Sequence, residues 1–188
     1  MSATLNREDL IYFADVLVEV FRYDEAVEYI YKLAKMNPNL SKEERTKFGQ
    51  ILKLSIDSDR ETLRKLRDQQ DKMENTHHQE LLNLTGNTIT KYFTHLTMLC
   101  DKTIKLINET ILPASETIQG EVFFLKLRGD LYRYISEFAQ DEFKETSRKN
   151  ADDSYSLAME KSEGLKITDP LRLGLLLNVA VFKYEHKF

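Results

Sequence analysis

Apolar residues recur at three- and four-residue steps along most of the chain, and the runs they form have recognisable ends. The first run, residues 10–21, follows Asn6 with Asp9 three positions on, an N-cap arrangement. Tyr23-Asp24-Glu25 opens a second helix, which must stop before Asn37-Pro38. Ser41 and Glu44 form a Ser-x-x-Glu capping box for a third helix, long, highly charged and running to about Met73. The polar, histidine-containing stretch 75–86 reads as the break before a fourth helix. There Ile89, Phe93, Leu96, Cys100, Ile104, Ile107 and Ile111 form one stripe, closed by Pro113. A fifth helix covers residues 117–140 and a sixth 141–162, with Gly164 placed as a C′ residue. Asp169-Pro170, an N-cap followed by proline at the first helical position, opens the seventh. Seven helices on short loops predict an all-α antiparallel array forming a single domain over residues 1–188.

Two helices carry unusual faces. The first is apolar nearly all round, with Val16 and Val20 among its members. A helix at the end of a chain has few neighbours to bury it, so a second apolar face suggests a partner surface, full burial being the alternative. The seventh, residues 171–182, is apolar around most of its circumference and is expected between neighbouring layers. The segment from Tyr23 to Asn37-Pro38 is similar to the second helix of a tetratricopeptide repeat. Thirty-four positions on, however, Arg60 and Lys72 stand where Ala26 and Pro38 would recur, so no tandem array is present.

Composition narrows the function classes. The 188 residues include six glycines and three prolines, too little punctuation for a sandwich or barrel. Charged residues make up 31 % and the hydrophobic set 41 %, which fits neither a disordered nor a membrane-spanning chain. A net charge of −4 argues against a general nucleic-acid binder. The single cysteine, Cys100, cannot form an internal disulfide, and no apolar signal segment opens the chain. A cytoplasmic location is expected, with the nucleus as an extension of it. His77-His78 with Glu80 lacks metal-ligand spacing, and nothing implies a cofactor. The basic run Arg60, Arg64, Lys65, Arg67 is interleaved with Asp57, Asp59, Glu61 and Asp68 and reads as a solvated face.

Helical periodicity gathers one constellation. Lys53 and Arg60, seven apart, share a face of the third helix. Lys126, Asp130, Arg133 and Tyr134 fall within roughly a 100° sector of the fifth. Asn178, Val181 and Glu185 share a side of the seventh, bordered by Leu177. Two basic faces with a tyrosine hydroxyl and an amide suit a tetrahedral dianion, whose oxygens guanidinium forks satisfy pairwise. Asp130 is expected to hold an arginine fork in one orientation. Solvated charge stripes remain the alternative on periodicity alone.

The stretch Glu121-Val-Phe-Phe-Leu-Lys-Leu-Arg-Gly-Asp-Leu-Tyr-Arg-Tyr-Ile-Ser-Glu137 resembles the most diagnostic segment of the 14-3-3 family. Asp169-Pro-Leu-Arg-Leu-Gly-Leu-Leu-Leu-Asn-Val-Ala-Val-Phe-Lys-Tyr-Glu185 is similar to a second family signature. Arg22-Tyr23-Asp24 and Ser41-Lys-Glu-Glu-Arg45 supply two further anchors in the right order. The resemblance implies a phosphoserine/phosphothreonine-peptide adaptor, not an enzyme, that acts on phosphorylated client proteins as a homodimer or with other family members, without nucleic acid or membrane. By motif position it implies a phosphate clamp of Arg60, Arg133 and Tyr134 with Lys53 beside it, and Asn178 on the ligand backbone. Lys126, Leu177, Val181 and Glu185 are implied to line the rest of the groove. A helical scaffold with a vestigial pocket, binding partners independently of phosphate, is the second reading.

Departures from the family pattern are specific. Where two adjacent arginines are usual, this chain reads Asp59-Arg60. At the implied dimer interface Glu25 and Lys91 keep one ion pair, and Arg22 is kept. The usual acidic partner position of Arg22, however, holds His95, and Thr88 replaces a tyrosine. Val16 and Val20 are expected to offset these changes by apolar burial. Family members continue through two further helices that form the opposite wall of the groove, whereas the sequence given ends at Phe188. Weaker ligand binding and an exposed back of the seventh helix are the corresponding expectations.

Overall fold

A computed structural model describes residues 5–73 and 78–186. Among these, seven helices follow one another: α1 (Arg7–Glu19), α2 (Tyr23–Met36), α3 (Lys42–Met73), α4 (Gln79–Leu106, continued as below), α5 (Ile118–Phe138), α6 (Asp141–Ser162) and α7 (Pro170–His186). The chain is all-α, as the periodicity predicts.

The caps read from sequence form. Asn6 and Asp9 close a reciprocal capping box at α1. Ser41 Oγ accepts from the Glu44 amide at 3.2 Å while Glu44 accepts from the Ser41 amide at 2.8 Å. Asp169 Oδ1 accepts from the Leu171 amide at 2.8 Å, ahead of Pro170. Helix α1 ends at Glu19, short of the predicted residue 21. The Phe21 amide bonds the Val18 carbonyl and the Arg22 amide the Leu17 carbonyl, a Schellman closure with Phe21 at φ 61°. A non-glycine residue in this left-handed region costs roughly 1–2 kcal/mol.

Three boundaries differ from expectation. The predicted break over 75–86 is shorter, because α4 begins at Gln79 with His78 in the N-cap position. His77 lies outside the described residues. Leu82 and Ile89 continue the α4 pattern backward as half-buried positions, while Leu81 and Leu84 beside Leu82 are exposed and blur the stripe. At its far end α4 passes into a π-helical turn, Ile107–Ile111, and closes with Leu112–Ala114. Pro113 lacks an N–H and its ring crowds the carbonyl four residues back, so a widened turn accommodates it where a regular one would not. Gly164 follows α6 but is not left-handed. Its requirement is steric instead, since a Cβ there would meet Ile118 Cδ1 at 2.8 Å.

The main core joins α1 to α5 around Leu17, Ile30, Phe48, Leu52, Leu96, Ile107, Phe124 and Leu131. A second cluster, Val122, Leu125, Ala151, Tyr155, Leu175 and Phe182, holds α5, α6 and α7 together. Helix α5, packed on α3, α4, α6 and α7, is the axis both clusters share. Helix α1 buries Leu10, Ala14 and Leu17 and presents Tyr12 and Phe13 to solvent, with Val20 and Phe21 exposed just past its end, the two-faced arrangement rather than full burial. Helix α7 does not sit between layers. It buries Leu175 and Phe182 against α5 and α6 and leaves Leu173, Leu176, Leu177, Val181 and Tyr184 exposed.

Candidate functional site

Helices α3 and α5 form the two sides of a groove of about 390 Å³, bordered on α7 by Asn178. Its polar lining comes from Thr46, Gln50 and Lys53 on α3, Lys126, Asp130 and Tyr134 on α5, and Asn178; Leu52, Ile56, Phe123 and Leu127 make it apolar elsewhere. Lys126 and Asp130 are one turn apart and pair at 2.8 Å with only 22 % and 6 % of their side chains exposed. Lys53 pairs with Asp57 at 2.8 Å and stays largely in solvent.

Two guanidiniums converge beside the groove on one ring. The Arg60 Cζ stands 4.1 Å and the Arg133 Cζ 4.8 Å from the centroid of Tyr134. Both arginine side chains are nearly buried, 11 % and 12 % exposed. Stacking on an aromatic face keeps such forks in place with their charge intact. Burial works against the charge on Arg133, yet Tyr155, Tyr134 and Asp130 around it outweigh that and raise its pKa. Burial, with Asp130 near, pushes the Tyr134 hydroxyl up to about 12, so it is a neutral hydrogen-bond group at physiological pH.

Each cation has an internal carboxylate. Arg60 donates to Glu137 Oε2 through Nε and Nη2 and to Asp57 Oδ1 through Nη1, at 2.8–2.9 Å. Arg133 reaches Glu185 on α7 at 3.2 Å. Asp130 does not hold an arginine fork, contrary to expectation. It accepts from Lys126 at 2.8 Å, from the Tyr155 hydroxyl at 2.5 Å and from Asn178 Nδ2 at 2.7 Å, because its direction on α5 points between α6 and α7. Glu137 takes the orienting role instead, two turns from Asp130.

The structure therefore brings together Lys53, Arg60, Lys126, Asp130, Arg133, Tyr134, Asn178 and Glu185. Leu177 and Val181 lie outside the 390 Å³ pocket, on the exposed side of α7 next to Asn178, 64 % and 37 % accessible. Asp59 is not a free acid next to Arg60. It is buried, and His95 Nδ1 lies 2.7 Å from its Oδ2. Arg22 pairs with Glu25 of its own helix turn. The basic run on α3 is also only partly solvated. Arg60 and Arg64 meet on Glu137, and Arg67 donates to the Phe138 carbonyl at 2.6 Å, satisfying the end of α5, while Lys65 stays in solvent with Glu61. Among the described residues no group of His, Cys, Asp and Glu is arranged to hold a metal, and no helix is long and apolar enough to cross a membrane.

Sequence reasoning missed Glu137 and Tyr155. Glu137 sits four residues after Arg133, a spacing that could have marked it. Tyr155 left no local sign, being one apolar position among Ala151 and Ala158 on α6.

The family model described as 14-3-3 protein matches residues 13–187. The chain is 34 % identical over 180 residues to 14-3-3 protein 2 of Entamoeba histolytica, covering 96 % of this chain and 76 % of that protein. It is 35 % identical over 181 residues to a 14-3-3-like protein of Fucus vesiculosus, covering 96 % and 71 % respectively.

Proposed function

Because the chain belongs to the 14-3-3 family, we propose that it is an adaptor gripping phosphorylated serine or threonine segments of client proteins in the groove between α3, α5 and α7. The observation that carries this reading is the convergence of two nearly buried guanidiniums, from α3 and α5, on the ring of Tyr134. A phosphoryl group brings about −1.5 to −2 charges and three acceptor oxygens. Arg60, Arg133 and the Tyr134 hydroxyl supply the matching donors, and Lys53 and Lys126 add positive charge. Recognition of phosphorylated motifs by arginine clusters is a general mode of which this family is itself a standing example.

The internal carboxylates do not oppose this. Asp57 and Glu185 are 39 % and 43 % exposed, so water reaches their side of each pair and an incoming dianion can take their place. Glu137 stays on Arg60 as its orienting carboxylate, and buried Asp130 stays with Lys126 and Asn178. Asn178 gives one of its two amide N–H groups to Asp130, which leaves the other and the carbonyl oxygen for a ligand backbone. Leu177 and Val181 offer apolar surface to the flanks of the segment. Binding rather than bond-making is the role of this site.

The exposed face of α1 and the turn after it support association of two copies through Val16, Val20, Arg22 and Glu25, and we assign Lys91 and His95 on α4 to the same proposed patch. A homodimer follows from one self-complementary patch, and a relative with a similar patch could take the place of one copy.

Charge reversal at Arg133 tests the clamp. Arg133→Glu is expected to bind a phosphoserine peptide no better than its unphosphorylated twin, with helical content unchanged. Retained discrimination would remove the clamp from this groove and favour phosphate-independent binding along the apolar faces.

A further inference from the structure

Tyr155 on α6 is 1 % exposed and belongs to no wall of the groove. Its ring lies against Phe182 of α7, centroids 5.4 Å apart, and beneath Gly129 of α5, where a Cβ would come within 2.7 Å of it. Its hydroxyl nevertheless reaches the site. It donates to Asp130 Oδ1 at 2.5 Å and accepts from Arg133 Nε at 3.4 Å.

One hydroxyl proton makes this arrangement directional. Asp130 as a carboxylate can only accept and the Arg133 guanidinium can only donate, so the hydroxyl must give its proton to the first and a lone pair to the second. Burial, then Asp130 beside it, drive the Tyr155 pKa upward, which keeps that proton in place. Asp130 in turn fixes Lys126 and Asn178. A single buried atom on α6 is thus joined to three groups of the proposed clamp on α5 and α7. The ring of Phe182, between Asn178 and Glu185 on α7, docks that helix on the same tyrosine.

We propose that Tyr155 is a positioning residue for the phosphate clamp, setting the Arg133 fork and the Asp130 carboxylate from beneath without touching the ligand. This rests on the phosphopeptide reading above. A core-filling role alone needs the ring; the positioning role needs the oxygen.

Tyr155→Phe separates them, since it keeps the shape against Phe182 and Gly129 and deletes one hydrogen-bond group. Affinity for a phosphoserine peptide is expected to fall about tenfold, the scale of one hydrogen bond to a charged group. The unphosphorylated twin is expected to bind as before. Equal phosphopeptide affinity in both proteins, or an equal fall for both peptides, would overturn the proposal. A second measurement needs neither variant nor peptide: exchange of the Arg133 Nε proton with water, followed by NMR on the unliganded protein. Slow exchange is expected for a proton held on Tyr155, and exchange as fast as that of a free arginine would overturn the proposal. Should the wild-type protein fail to distinguish the two peptides, the phosphopeptide reading fails, while this exchange rate still decides whether Tyr155 holds the fork.

Discussion

Nδ1 of His95 stands 2.7 Å from Oδ2 of Asp59, joining α4 to α3. The resemblance implies a different charge at each position, an arginine at Asp59 and an acid at His95. Separately they read as two losses of charge; in space they form one pair. Asp24 of α2 completes it, with Oδ2 at 3.5 Å from His95 Nε2 and Oδ1 accepting from Ser55 at 2.5 Å. Three helices meet on one imidazole.

This contact makes stability depend on pH. Burial works against the imidazolium, but Asp59 and Asp24 outweigh it and raise the His95 pKa. With the folded value above the unfolded one of about 6.5, the contribution is fully present below that pH and is lost as pH rises through the folded value. Burial also raises the Asp59 pKa, against the opposing effect of His95, so ionised Asp59 loses support in the same direction. Denaturant midpoints between about pH 6 and 9 should fall more steeply for the wild type than for His95→Gln. Parallel curves would show that His95 carries no such linkage.

Gly129 faces the ring of Tyr155 so closely that any side chain forces a shift. Gly129→Ala should destabilise the protein by about 1–3 kcal/mol, the usual cost of overpacking. The propensity gain of alanine in a helix, at most about 1 kcal/mol, is too small to cancel it. Chemical denaturation measures the difference, and an unchanged midpoint would mean that α5 and α6 can separate freely.

Val20 is 57 % exposed in the single chain, so a charge there should leave the fold intact. Val20→Asp is expected to halve the particle mass seen by light scattering, from twice the 22.1 kDa chain to that of one chain, with unchanged circular dichroism. Equal masses for the two proteins would place self-association elsewhere or show that it does not occur.

Much of the helix plan was legible because its signals are local. Asn6 with Asp9, Ser41 with Glu44 and Asp169 before Pro170 each announce a helix start within four residues, and each forms the predicted cap. The start of α4 was hidden because its first turns mix polar residues with exposed Leu81 and Leu84 and show no single apolar stripe, and the widened turn before Pro113 has no local signal of its own. In the site, periodicity grouped Lys126, Asp130, Arg133 and Tyr134 on one face of α5; Lys126 and Asp130 pair there, and Arg133 stacks on Tyr134. Which carboxylate serves which cation was not legible, since Glu137 reaches Arg60 across 77 positions and Asp130 finds Asn178 across 48. Those two choices are made by the packing of α3, α6 and α7 on α5, whereas the pairs of Lys126 with Asp130 and of Lys53 and Arg60 with Asp57 are one turn apart and local.

Calorimetric titration of the wild-type protein with a phosphoserine peptide and, separately, with its unphosphorylated twin tests the central claim most directly. The two guanidiniums on Tyr134 predict binding of the phosphorylated peptide at least tenfold tighter, a gap that narrows as salt is raised. Identical isotherms for the two peptides, or no heat from either, would contradict it.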